Sequence, residues 1–477
     1  MGVLISAPVP LFAQTEREEY EAFRARVKQQ YSDFRDDCNS KYADFLAKSW
    51  ENVKIAPAIP KPQELAPVPP RPYDDRSDNR QPIDVTPYVI PTPDTRPVPQ
   101  PSPVSPIEEE PFDVTRPVRV SFYELTPQIR VPDLKLNLGR RRPEDVANAW
   151  KTLSSNSALR NTIRDCLETR SRYGLSDWAY LQFLDNLARS VTRDANEATF
   201  LMAYLFCQSG YQMRLAEDNG KLHMLFGSRH IIFNKPRYNV NGVYFYPYGE
   251  NPNQLFVANT IFDGETPMSF VINTQQNLGT ALSEPREIRS KKYPEVAVTS
   301  RVPVSLLKFY NDYPDSKYGD NFMSQWAIYA NTPMAEATRA AIYPALLNRL
   351  EGLSKKEKVE RLLNLVQTAF RYDYDTNVWG EERAFFAEET LYYPFSDCED
   401  RAILFSRLVR DLVGLPVALV YYPGHLAAAV CFDEQVPGDA MMINGRRFVI
   451  ADPTFVNAPV GKQMPDLEHN KAQAIVL

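Results

Sequence analysis

SDCEDRAILFSRLVRDLVGLPVALVYYPGHLAAAV, Ser396 to Val430, decides the reading of this chain. Ser396 followed by Glu399 is an S-x-x-E capping signature at a helix start. Ala402, Ile403, Phe405, Leu408, Val409 and Leu412 then keep a helical period, Gly414 ends the helix, and Pro416 prevents its continuation. Cys398 therefore falls in the first turn, where unpaired backbone N–H groups favour a thiolate over a thiol. Asp397, Glu399 and Asp400 push the other way, since neighbouring carboxylates disfavour a thiolate; their plain role is to cap the helix. The same oxygens are also a candidate Ca²⁺ ligand set. Val417 to Tyr422 reads as a buried strand, Pro423-Gly424 as a turn, and His425 as the opening of the next strand. Asn444-Gly445 is a two-residue hairpin signal that feeds a strand ending at Asp452, before Pro453. His425 and Asp452 then belong to one antiparallel sheet against which the Cys398 helix can pack. Nucleophile, base and an acid that fixes the imidazole tautomer make a Cys398–His425–Asp452 triad.

Four pieces, FRYDYD from Phe370, SDCEDRAILFSRLVR from Ser396, PGHLAAAV from Pro423 and IADPTF from Ile450, stand in the order and spacing of the transglutaminase-like superfamily, which this part of the chain resembles. Ser396 stands where that family often has Gly; serine also caps. The resemblance implies a papain-like fold for roughly Leu353 to Val456 and the Cys–His–Asp triad. It does not imply cross-linking, because the family includes peptidases, amidases and inactive binding domains. The expected chemistry is acyl transfer through a thioester, with water as acceptor and a peptide or side-chain amide as substrate. The alternatives are amine transfer, or a non-enzymatic envelope scaffold with a vestigial triad. The Cys398 backbone N–H is one oxyanion donor; Trp379 or Gln367 could supply a second, or simply pack. Phe385, Phe386, Tyr392, Tyr393 and Phe395 either wall a cleft or fill the core. No cofactor is expected beyond the Ca²⁺ alternative at Asp397, Glu399 and Asp400.

Upstream, residues 118–300 read as an α+β unit that looks like a decayed copy of residues 301–477, an unrelated α+β unit being the alternative. Gly174-Leu175-Ser176 and Gly352-Leu353-Ser354 each open a helix, and NEATFLMAYLFCQSGY parallels EDRAILFSRLVRDLVGL. Ala195 then stands where the second copy has Cys398, and Lys221 where it has His425, so the first copy lacks the thiol. Cys166, Cys207 and Cys431 read as packed residues.

Before these units come three non-globular segments. Residues 1–14 read as the remnant of a secretory signal, with Ala13-Gln14 a cleavage junction, which points to a periplasmic or cell-envelope location. Residues 15–54 hold a long helix over 16–50, with Tyr20, Phe23, Val27, Tyr31, Phe34, Cys38, Tyr42 and Phe45 spaced 3-4-4-3-4-4-3. That aromatic stripe can self-associate, dock a partner, or pack on the chain's own body. Residues 55–117 carry 18 prolines from Pro57 to Pro117 and few large apolar side chains, so an extended tether is expected.

Over all 477 residues the net charge is −6 without a basic stripe, which speaks against nucleic acid as main partner. Five widely spaced cysteines and four histidines give neither a disulfide framework nor a zinc pattern. No apolar run of membrane-spanning length is present.

Overall fold

The computed structural model describes residues 11–62, 67–93, 103, 115–240, 243–252, 254–262 and 264–477. The fold is mixed α+β. In chain order its framework is α1 (Leu11–Leu46), β1 (Glu51–Val53), β2 (Ile55–Ala56), β3 (Asp84–Val85) and β4 (Tyr88–Ile90). The first unit follows with α2 (Asp177–Val191), α3 (Ala195–Gln208), β5 (Met213–Asp218), β6 (Lys221–Gly227), β7 (Arg237–Val240), β8 (Val243–Pro247) and β9 (Leu255–Val257). The second has α4 (Lys355–Ala369), α5 (Cys398–Leu412), β10 (Val417–Tyr422), β11 (His425–Val430), β12 (Ala440–Ile443), β13 (Arg446–Ala451) and β14 (Gln473–Val476).

Both units build a seven-stranded sheet, and the internal order is the same in each: β9-β5-β6-β8-β7 in the first and β14-β10-β11-β13-β12 in the second. The helices repeat as well. Ser176 caps α2, accepting from the Ala179 N–H at 3.4 Å, and Ser354 caps α4, with its own N–H donating to Glu357 at 2.9 Å. Ala195 is the first residue of α3, as Cys398 is of α5, and Lys221 opens β6, as His425 opens β11. The two sheets thus share one strand order.

Within the proline-rich segment the described residues 55–62 and 67–93 contribute edge strands to the two sheets. β1 pairs with β9 and β2 with β7, the two opposite edges of the first sheet, although only Lys54 separates them. β3 pairs with β12 and β4 with β14, the opposite edges of the second sheet, across Thr86 and Pro87. One short stretch of chain therefore ties the edges of each sheet together and curls it into a barrel. Val53 and Ile55 pack into the interior of the first barrel, and Val85 and Val89 into that of the second. The expectation of a spacer counted large apolar residues; it overlooked that edge strands tolerate proline and need only a few side chains to close a barrel.

The C-terminal end of α1 packs on the first unit, where Tyr42 stacks on Phe262 at 4.4 Å and lies 4.6 Å from Trp150. Cys38 is half-buried beside it, whereas Phe23 and Phe45 are exposed. The side chains of Tyr20, Val27, Tyr31 and Phe34 lie outside the described residues, as do residues 1–10, which carry most of the signal-like stretch. α1 begins at Leu11 and ends at Leu46, short of Trp50. Among the described residues no helix is long and apolar enough to cross a membrane.

One apolar cluster runs through both units, from Tyr42 and Trp150 to Leu426 and Ile475. The hairpin Arg286–Arg289 with Ala297–Ser300 packs Ile288, Val296 and Val298 against Leu362 and Val366 of α4. It therefore belongs with residues 301–477 rather than with the preceding unit. Cys166, Cys207 and Cys431 are buried and free.

Candidate active site

α5 begins one residue later than an Ser396–Glu399 capping box requires. Asp397 is the N-cap, and its N–H donates to Asp400 Oδ2 at 3.3 Å. Ser396 is held one step upstream, paired with Tyr372 in a short parallel bridge. Its hydroxyl accepts from the buried Arg401 guanidinium at 3.1 Å. Arg401 also donates to the Gln367 carbonyl at 3.3 Å and the Phe370 carbonyl at 2.8 Å, so it fastens the end of α4 to the start of α5. An arginine inside the amphipathic pattern of α5 reads as an exposed position, and sequence reasoning passed over it.

Cys398 is buried, and its thiol donates to Glu399 Oε2 at 3.1 Å. Oxygens of Asp375, Glu382, Asp397 and Glu399 all lie within 4.8 Å of one another, a tighter and partly different set from the expected Asp397, Glu399 and Asp400. Asp400 is otherwise engaged, its Oδ1 accepting from the Phe385 N–H at 2.8 Å. Asp375 and Glu382 lie well upstream in sequence, which is why no local pattern could reveal them. Burial, reinforced by the neighbouring carboxylates Glu399, Asp400 and Asp375, raises the Asp397 carboxyl well above its ordinary range. Asp375 is pushed up to about 7, by burial first and then by Glu382, although the Arg383 N–H it accepts opposes this. Asp397 Oδ1 is buried and has no hydrogen-bond partner. Lys61 and Arg383 act on Asp375, Lys61 on Glu382 and Arg401 on Asp397, which compensates the four carboxylates only in part; oxygen-only ligands suit a hard cation such as Ca²⁺.

The other two expected residues meet. His425 Nε2 and Asp452 Oδ2 are 2.9 Å apart and both side chains are fully enclosed. Asp452 Oδ1 accepts from the Thr454 N–H at 2.8 Å and from the Phe455 N–H at 3.3 Å, so the Asp-Pro-Thr turn fixes the carboxylate. A carboxylate acceptor puts the ring proton on Nε2 and leaves the lone pair on Nδ1, which is buried and has no partner.

Cys398 opens α5 and His425 opens β11, so both stand at the beginning of their elements. Along β11, Leu426 clusters with Cys398, Ala402 and Ile403 of α5, and Ala428 and Val430 with Leu404 and Leu408. Ala427 and Ala429 face the barrel interior with Val420 and Ile450. His425 shares their side by the two-residue alternation of a strand, and its ring stacks on that of its cross-strand partner Tyr422, with centroids 6.4 Å apart. Glu399 and Tyr421 line one cleft on the α5 side, which puts the start of α5 at the turn end of the sheet. His425 is bonded to Asp452, and the Cys398 thiol donates to Glu399.

Of the two side chains considered as oxyanion donors, Gln367 is committed elsewhere. Its amide donates to the carbonyls of Asp452, Phe455 and Ala458 at 2.8–3.1 Å, which clamps the loop after β13. Trp379 Nε1 is buried without an acceptor, and the ring sits among Phe385, Tyr393 and Phe395 under the Arg383 guanidinium. Phe385 and Phe386 are core residues, whereas Tyr392 is exposed.

No protein-family model matches the chain, and no curated protein matches it.

Proposed function

We propose that the second barrel is a transglutaminase-like, papain-like thiol hydrolase unit acting by acyl transfer on a peptide or side-chain amide. Cys398 is the nucleophile, His425 Nδ1 the base, and Asp452 the group that holds the ring and supports its charged form. The observation that carries this reading is the enclosed His425–Asp452 pair with Nδ1 left without a partner. Most buried side-chain polar atoms have a partner, so an enclosed imidazole held at one nitrogen and open at the other is placed to act as a base. The described arrangement is then a resting one, with the thiol protonated and tied to Glu399. A hard cation on Asp375, Glu382, Asp397 and Glu399 would take the Glu399 carboxylate, replace negative charge beside the sulfur by positive, and favour the thiolate. Attack on the amide carbon forms a thioester and expels the amine, which takes its proton from His425. Water then releases the acid and restores the thiol.

A second reading has its own observation. The thiol donates to the Glu399 carboxylate, which favours the neutral thiol, as expected of a vestigial triad in an envelope scaffold. The two separate in one experiment: the rate at which iodoacetamide modifies each cysteine of the native chain, with and without calcium, followed by peptide mass mapping. The enzyme reading expects Cys398 to react much faster than Cys431 in calcium, and Cys398→Ala to remove all turnover of a labelled peptide pool. Equal, slow modification of both cysteines under either condition would favour the scaffold. Incorporation of a labelled amine into the peptide pool would identify amine transfer in place of hydrolysis.

A further inference from the structure

The first barrel carries a cleft at the place where the second carries its thiol. It has a volume of about 620 Å³ and is lined by Ala195 and Lys221, which hold the positions of Cys398 and His425. The other walls come from α2, from the end of β8 and from the loop before β7. Its floor is aromatic, with the rings of Trp178 and Tyr248 5.8 Å apart. Trp178 Nε1 is buried and has no acceptor. An indole N–H can only donate, so it lacks a partner that a ligand oxygen would supply.

The charges in the cleft are mostly paired off. Arg189 is bound to Asp185 at 2.8 Å, and Lys221 to Glu250. Lys235 is the exception: among the described residues its ammonium reaches only the Gly249 carbonyl, at 3.3 Å, and burial lowers its pKa. Asp312 also lines the cleft and has no ion-pair partner among the described residues. One unneutralised ammonium and one unused N–H donor suit a singly charged acceptor. A phosphate dianion would meet a single free cation and three carboxylates. The lone Asp312 offers an acceptor for an N–H further along the same ligand.

We propose that this cleft is a non-catalytic binding site for a short peptide ending in a free carboxylate, with the carboxylate on Lys235 and the Trp178 N–H and the last side chain on the Trp178–Tyr248 floor. Loss of the thiol in the first copy then leaves a recognition site in place of a reaction site, although His223 still lines it. It does not rest on thiol chemistry in the second barrel, and it is tested on the full chain carrying Cys398→Ala so that no turnover intrudes.

The experiment is isothermal titration with tri-alanine, tri-alanine C-terminal amide and inorganic phosphate, alongside circular dichroism of each variant. Tri-alanine should bind, and the amide should bind about tenfold or more weakly, since a charge-assisted hydrogen bond is lost. Lys235→Met and Trp178→Phe should each weaken tri-alanine by a similar factor, while Lys235→Arg retains binding. Equal affinity for acid and amide, unchanged affinity in a folded Lys235→Met chain, preferential binding of phosphate, or no heat with tri-alanine at about millimolar concentration would each overturn the assignment.

Discussion

Asp452 is the residue on which the proposed chemistry turns, because it touches the imidazole with one oxygen and its own turn with the other. Asp452→Asn keeps the shape and both backbone hydrogen bonds, but an amide can present its N–H₂ to the ring and favour the opposite tautomer. Turnover should fall by about 10³–10⁴-fold with little change in melting temperature; a variant with near-normal turnover would remove Asp452 from the mechanism. Arg401 makes the opposite kind of case. It is buried, binds three oxygens and touches no reacting group, so Arg401→Leu should cost about 3 kcal/mol of stability by leaving those acceptors unpaired. That loss would be read from urea unfolding of the Cys398→Ala chain. Asp452 was legible in the sequence because Asp-Pro after a hairpin strand fixes its place by local rules. Arg401 was not, because two of its three partners are backbone carbonyls from the end of α4, and carbonyls leave no mark on a sequence. The N-cap illustrates a finer limit: Ser396 and Asp397 are both good caps, and the pairing of Ser396 with Tyr372 chooses between them.

At the scale of elements, the helix–helix–sheet succession of the two units was readable and the closure of their sheets was not. Gly-Leu-Ser before each helix, followed by a second helix and a β-rich run, specifies local structure that recurs at the same points in both sheets. The closing strands β1 to β4 are two or three residues long and set among prolines, so no periodicity exists to detect. Their orientation differs as well, antiparallel to the first sheet and parallel to the second, so the segment is not itself part of the repeat. Ile90 gives a direct test. It lies on β4 opposite Ile475 and is 3% exposed. Ile90→Ala should therefore destabilise the chain by about 2–4 kcal/mol, as expected for emptying a packed core position, with the loss measured by chemical denaturation. In a loose tether the same change would cost nothing measurable. Edge strands held by so few side chains are also where local opening should begin, so amide exchange along 84–90 should be faster than along β10 and β11.

The acidic cluster reports on the whole molecule, because it couples folding, protons and a cation. In the folded chain Asp375 is pushed up to about 7 and Asp397 well above its ordinary value, in both cases by burial before any other cause, whereas in the unfolded chain both return to about 4. Glu388, also raised to about 7 by burial, adds to the effect from the neighbouring helix. Below pH 4 both states hold these protons and the contribution to stability is complete. Between about 4 and 7 the unfolded chain has released them while the folded chain keeps them, so stability declines as pH rises and the loss is finished above the folded values. A cation reverses this, since it occupies the ionised carboxylates and competes with protons for them. Without calcium the melting temperature should fall from pH 5.5 to pH 8. Calcium at about a hundred times its dissociation constant should restore on the order of 2.7 kcal/mol at pH 8 and distinctly less at pH 5.5. Glu399→Gln should abolish most of that increment, and Asp375→Asn should flatten the pH dependence in the absence of calcium. A calcium effect of equal size at both pH values, or one that survives Glu399→Gln, would place the ion elsewhere and leave the thiol of Cys398 without its proposed switch.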